Sequence, residues 1–184
     1  MIDNIQFSQI VFFIAMMVFT AIPAGFFAGL FGIGSGLITV PFLFYIFTAI
    51  GIDQNYVMHL AVGTSFGIII PTSIVSVLTH HEHKSVDFSI VKTYGIFVIL
   101  GVLSGTVFAA NLETKPLILF FSVVVYILAF YLFFLKEKER DLKIKMGLFA
   151  KVLSGFLTGF ISAPMGIGGA IMNVPILKFF GYSI

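Results

Sequence analysis

The sequence predicts an all-α fold: a polytopic transmembrane helical bundle built from two related repeats with glycine-broken helices. Three observations predict it. Of 184 residues, 59% are hydrophobic and only 10% charged, with a mean hydropathy of +1.13. A water-soluble domain of this size has no interior large enough to hide that much apolar surface. The apolar runs are continuous, of helical length, and separated by short polar segments, which excludes the alternating pattern of a β-barrel. Finally, one glycine-rich motif occurs twice. Gly32-Ile33-Gly34-Ser35-Gly36-Leu37-Ile38-Thr39-Val40-Pro41 returns as Gly166-Ile167-Gly168-Gly169-Ala170-Ile171-Met172-Asn173-Val174-Pro175. Matching blocks precede them: Gly25-Phe26-Phe27-Ala28-Gly29 and Gly155-Phe156-Leu157-Thr158-Gly159.

The apolar runs give spans at about 7–31, 37–50, 57–79, 88–110, 116–135, 146–163 and 167–182. The first has no basic flank and no small-residue cleavage site, so it is expected to be retained as a span. The second begins after the first glycine motif and ends at the polar segment 51–55. Asp53 and Asn55 can cap the third, Asp87 the fourth, and Thr114 with Pro116 the fifth. Two spans are short against a hydrocarbon core of roughly 30 Å. The second would be about 21 Å long, and the sixth about 24 Å before Ser162-Ala163-Pro164 interrupts it. The first glycine motif is then expected roughly 10 Å below a membrane surface. Non-helical backbone at such depth is tolerated where it is buried in protein or lines a wet cavity. Gly25, Gly29, Gly101, Gly105, Gly155 and Gly159 have the small-xxx-small spacing of close helix packing.

Charge placement orients the chain. With every span crossing, Lys84, Lys92, Lys136, Lys138, Arg140, Lys143, Lys145, Lys151 and Lys178 fall on one side and Lys115 on the other. The positive-inside rule makes the first side cytoplasmic and puts the N-terminus outside, in a plasma membrane of bacterial or archaeal type. Residues 1–135 form a first repeat of about five apolar segments, 136–145 a charged cytoplasmic connector, and 146–184 the start of a second repeat. The motif offset would place the end of that second repeat roughly 80 residues past Ile184, so it reads as incomplete. The first motif enters from the cytoplasmic side and the second from outside, which makes the repeats inverted. They become parallel if one short segment re-enters instead of crossing.

A repeated glycine break in membrane segments points to a transporter's binding site. Gly32, Gly34 and Gly36, with Gly166, Gly168 and Gly169, permit left-handed backbone and close approach. Each motif opens a helix whose free N–H groups and positive dipole end face it. Two such ends make an anion site without Lys or Arg. Ser35, Thr39 and Asn173 are placed to donate hydrogen bonds, and Thr39 and Asn173 occupy equivalent positions. Thr64 and Ser65 lie deeper in the third span. His59, about one turn from the outer surface, is the ionisable group expected inside a span and the candidate for proton coupling. His80, His81, Glu82 and His83 read as a solvated cytoplasmic loop and not as a metal cluster. No metal, no cofactor and no nucleic-acid partner are expected. A small anionic substrate and the bilayer are, and a homo-oligomer fits as well.

The glycine motif followed by Val40-Pro41, its second copy with Val174-Pro175, the segment Ala61-Val62-Gly63-Thr64-Ser65, and His80 followed by Val86-Asp87 resemble the TauE/SafE sulfite exporter family. The resemblance covers essentially the whole chain. It departs at Ser35 and Ala170, where the family has glycine. The chain also stops before the family's last helices. The resemblance implies transport of a small sulfur-containing or organic anion such as sulfite, sulfoacetate or another sulfonate, by alternating access. An anion channel with re-entrant glycine loops and a membrane-embedded assembly factor are the alternatives. Catalysis is not expected, because no carboxylate pair, Cys nucleophile or His/Asp constellation falls inside the spans.

Overall fold

Apolar stretches of helical length, parted by glycine breaks and short polar turns, become a bundle. A computed structural model describes residues 7–31, 34–82, 88–134 and 146–180. These form α1 (Phe7–Phe31), α2 (Gly36–Ala49), α3 (Val57–Glu82), α4 (Phe88–Ala110), α5 (Thr114–Phe134), α6 (Leu148–Met165) and α7 (Ala170–Phe179). Each of α3 to α6 contains a stretch long and apolar enough to cross a membrane. No strand occurs among the described residues.

The expected spans correspond to these helices in order, with differences that have local causes. The third is longer: His80, His81 and Glu82 form the last turn of α3 and not a loop. The sixth does not stop at Ser162-Ala163-Pro164. It runs through Pro164 to Met165, since a membrane helix tolerates a missing N–H when neighbours accommodate the freed carbonyl. The helix ends where Gly166 turns left-handed (φ +63°) and its N–H bonds back to Ala163 and Ser162 carbonyls. Gly168 and Gly169 are left-handed too, so the seventh helix begins at Ala170 and not at 167. Gly32, His83, Asp87 and the connector 136–145 lie outside the described residues.

Asp53 does cap: its Oδ1 accepts the Asn55 N–H (2.9 Å), and its carbonyl accepts Val57 N–H (3.1 Å). Thr114 does not cap α5. Its hydroxyl donates across the bundle to the Asn55 carbonyl (2.6 Å), and the Leu117 N–H bonds to the Glu113 carbonyl at the helix start.

Two packing units position the site. Val40, Leu43, Ile46 and Phe47 of α2 share one buried cluster with Val57, Met58, Ala61 and Val62 of α3 and Leu117 and Phe121 of α5. The other unit is the pair α4 and α6, which run parallel. Gly155 lies against Tyr94 and Phe97, Gly159 against Val98, and Gly105 against Phe160. A Cβ at Gly101, Gly105 or Gly159 would collide with the carbonyl oxygen of Phe156, Phe160 or Val98 respectively. Without side chains at these points the two backbones touch, which is how membrane helices gain packing where lipid offers no hydrophobic drive. Gly25 and Gly29 differ. Space is open where their Cβ atoms would be, because no described helix reaches that face of α1. Ala28 is the one buried side chain among those described on α1.

Candidate functional site

The two glycine motifs, distant in sequence, meet. Gly36, the first residue of α2, is buried against the second motif. A Cβ there would collide with the Gly166 carbonyl oxygen and lie 2.6 Å from Ile167 Cα. Gly166 in turn is within van der Waals reach of Val40 on α2 and of Val62 and Ser65 on α3. The Ser65 hydroxyl, 1% exposed, donates to the Gly166 carbonyl at 2.9 Å. That carbonyl lies at a helix end with no acceptor role inside α6, so Ser65 satisfies a group that would otherwise be costly to bury. Ser65 is about 12 Å, and Ile69 about 18 Å, along α3 from its first residue. The crossing therefore sits against the first third of a helix about 39 Å long, and the motif reaches toward its middle at Gly168.

The two copies also start their helices alike. Gly34 and Gly168, which are equivalent, have φ of +78° and +73°. Ile38 and Thr39 N–H groups bond to the Ser35 carbonyl, and Met172 and Asn173 N–H groups bond to the Gly169 carbonyl. Ser35 and Gly169 are equivalent, so both helices begin at the same motif position. They differ at that residue itself: Ser35 is right-handed (φ −65°), while Gly169 is left-handed (φ +77°). Ser35 makes no side-chain cap bond, and the N–H groups ahead of Ile38 and Met172 have no helical acceptor.

At the second break the chain reverses. Gly166 lies beside Val62 and Ser65, Gly168 faces Ile69 further along α3, and Gly169 is back beside Ser162 and Thr158 of α6. This return brings Asn173 to Tyr94 of α4, whose hydroxyl donates to Asn173 Oδ1 at 2.9 Å. The same hydroxyl is 3.4 Å from Thr158 Oγ1. Tyr94, Thr158 and Ser162 are all buried. The result is a neutral polar cluster on the α6 side of the glycine crossing.

The structure thus brings together Gly36, Ser65, Gly166, Gly168, Gly169 and Asn173 from the expected set. Thr39 is half-buried, one turn from Gly36, and has no side-chain hydrogen bond among the described residues. Thr64 lies roughly a quarter turn round α3 from Ser65. His59 is drawn elsewhere: its Nε2–H donates to the Ala109 carbonyl (3.1 Å) at the end of α4, and its buried Nδ1 has no partner among the described residues. A carbonyl only accepts, so the proton is on Nε2. Sequence reasoning missed Tyr94 and Thr158. Thr158 and Ser162 at i, i+4 beside Gly155 and Gly159 mark a polar, small-residue stripe that could have signalled a buried face. Nothing comparable marks Tyr94.

Comparison with known proteins gives a consistent picture. Residues 17–184 match the sulfite exporter TauE/SafE family. A probable membrane transporter protein of Haemophilus influenzae is 31% identical over 172 residues, covering 94% of this chain and 65% of the relative. A probable membrane transporter protein of Methanocaldococcus jannaschii is 28% identical, covering 100% and 68%. One from Bacillus subtilis is 25% identical, covering 88% and 66%. The chain spans about two thirds of the length of the curated relatives it matches. No solved structure shows a significant match.

Proposed function

Because the chain belongs to the sulfite exporter TauE/SafE family, we propose that it carries a small sulfur-containing or organic anion, of the sulfite or sulfonate class, out across a membrane by alternating access. The observation that carries this reading is the contact between Gly36 and Gly166 against α3 beside Val62 and Ser65. It sets the first turns of α2 and α7 a few residues from one point. Each turn carries about half a positive charge and unpaired N–H groups. The residues around that point are neutral, so the helix ends are the positive elements offered to an anion. Export suits such a site: a cytoplasm-negative potential drives each negative charge outward with about 2.3 kcal/mol per 100 mV, without a coupling ion. Thr39 and Asn173, equivalent positions one turn into α2 and α7, serve as side-chain donors. Gly32, Gly34, Ser35, Thr64 and the glycines of the second motif complete the proposed site. His59, with its unpartnered Nδ1, is the place for any proton coupling.

The test is flux in proteoliposomes under an imposed potential, with sulfite, sulfoacetate, acetate and zwitterionic taurine. Saturable flux with counterflow, favouring the sulfur oxyanions over taurine, is expected. Linear flux without counterflow would identify a channel instead, and no flux of any anion would end the proposal. Thr39→Val and Asn173→Leu remove donors with little change of shape and should each weaken affinity about tenfold, the worth of one hydrogen bond to a charged group. In the same vesicles, an unaltered response to a pH gradient in His59→Gln removes His59 from the mechanism.

A further inference from the structure

Asn173 is an ambiguous ligand for an anion. One end of its amide donates and the other accepts, and the two ends are nearly the same shape. Only the donor end attracts an oxyanion. Tyr94 occupies one end of this amide. Its hydroxyl donates to Asn173 Oδ1 at 2.9 Å, and the ring is 4% exposed, wedged beside Gly155 of α6. The acceptor end of the amide is thereby occupied on the α4 side. The Nδ2 end is turned toward Gly169, where a Cβ would be 3.3 Å from it. Thr158 Oγ1, fully buried and 3.4 Å from the tyrosine oxygen, holds that hydroxyl from the other side. Three helices therefore hold one amide in place: α4 through Tyr94, α6 through Thr158, and α7 through Asn173.

From this we infer that Tyr94 is a positioning residue for substrate binding: its hydroxyl holds the Asn173 side chain with Oδ1 on the α4 side and Nδ2 toward the second glycine motif, where an oxyanion meets its N–H groups. This rests on the proposed function, with Asn173 touching the anion and Tyr94 acting through it. Without the hydroxyl, the amide loses the partner that holds it and is free to turn away from the substrate. The chemistry recognised is a tetrahedral or pyramidal oxyanion, which accepts at every oxygen and gains nothing from a carbonyl.

The experiment is a double-variant cycle on reconstituted protein, with sulfite and sulfoacetate as the anions. Tyr94→Phe removes one oxygen and keeps the ring in the Gly155 groove. It should raise the half-saturating concentration about tenfold while leaving the maximal rate nearly unchanged, the pattern of lost ground-state binding. Asn173→Leu should do the same. The double variant should be no worse than Asn173→Leu alone, since Tyr94 then has no amide to orient. Taurine selectivity should shift in the same direction in both single variants. An unchanged affinity in Tyr94→Phe overturns the inference while leaving the transport reading intact. So do single-variant effects that multiply in the double variant. If wild-type protein carries none of the anions, the transport reading fails and this inference falls with it. A maximal rate that collapses in Tyr94→Phe, with affinity unchanged, assigns the hydroxyl to packing and also overturns it.

Discussion

At the scale of single residues, glycine is needed for different reasons at different places. Gly168 is needed for its φ of +73°, which a side chain would strain. Gly36 is a helical residue and is needed only for space: its missing Cβ lets α2 touch the backbone of Gly166 and Ile167. Backbone atoms cannot swing aside as a side-chain tip can, so Gly36→Ala should act as overpacking, at a cost of about 1–3 kcal/mol. Gly67, on α3, has open space around it, and Gly67→Ala should be neutral or stabilising by up to about 1 kcal/mol through helix propensity. Thermal unfolding in detergent, read beside anion flux, checks the pair. Equal melting of Gly36→Ala and wild type would mean the motifs do not touch as described. Sequence alone ranks Gly32, Gly34 and Gly36 together, because each breaks an apolar run in the same way. Which of them needs φ and which needs room depends on a partner 130 residues away. Tyr94 was illegible for a related reason: a single tyrosine in an apolar span looks the same facing lipid as facing Asn173.

At the scale of helices, length and position were legible and partnership was not. Spans followed from apolar runs and polar turns, since a helix is the structure that satisfies its own backbone in lipid. Pro164 misled because its effect is local: it frees one carbonyl without ending the helix. The freed carbonyl is that of Phe160, and it is the atom a Cβ at Gly105 would strike. The close approach of α4 at Gly105 thus covers the carbonyl that proline releases. Likewise, spacing marked three glycine pairs alike, yet Gly101 and Gly105 pack on α6 while Gly25 and Gly29 face open space. Gly101→Ala should therefore destabilise by about 1–3 kcal/mol, and Gly25→Ala, like Gly67→Ala, should be neutral or stabilising by up to about 1 kcal/mol. Unfolding of the protein in mixed micelles measures both. A Gly25→Ala cost equal to that of Gly101→Ala would show that α1 is packed on a helix that the described residues do not include.

At the scale of the molecule, the path of the chain bears on how the two motifs face each other. The parallel run of α4 and α6 puts their first turns at one end of the bundle, where the Lys151 ammonium donates to Thr93 Oγ1 at 3.1 Å. Lys92 belongs to that end. Lys115 opens α5 at the other end, where Thr114 is bonded to Asn55. The reversal at 166–169 sends α7 back toward the Lys92 and Lys151 end, and Lys178 lies near the close of that helix. Among the described residues, Lys92 and Lys151 thus share one end of the bundle and Lys115 lies at the other. On the positive-inside rule, the end with Lys92 and Lys151 is expected to be cytoplasmic. With that orientation, the first break would be reached by a helix descending from outside and the second by one ascending from the cytoplasm. That opposite approach is the inverted arrangement proposed for the repeats. The chain contains no cysteine, so single cysteines placed at residues 3 and 140 are clean reporters. With a membrane-impermeant maleimide on intact cells, the residue-3 variant should be labelled, and the residue-140 variant only after the membrane is opened. Labelling at 140 from outside would reverse the orientation. The cytoplasm-negative potential would still drive an anion outward, so the direction of export would stand while the sides from which the two motifs are reached would be exchanged.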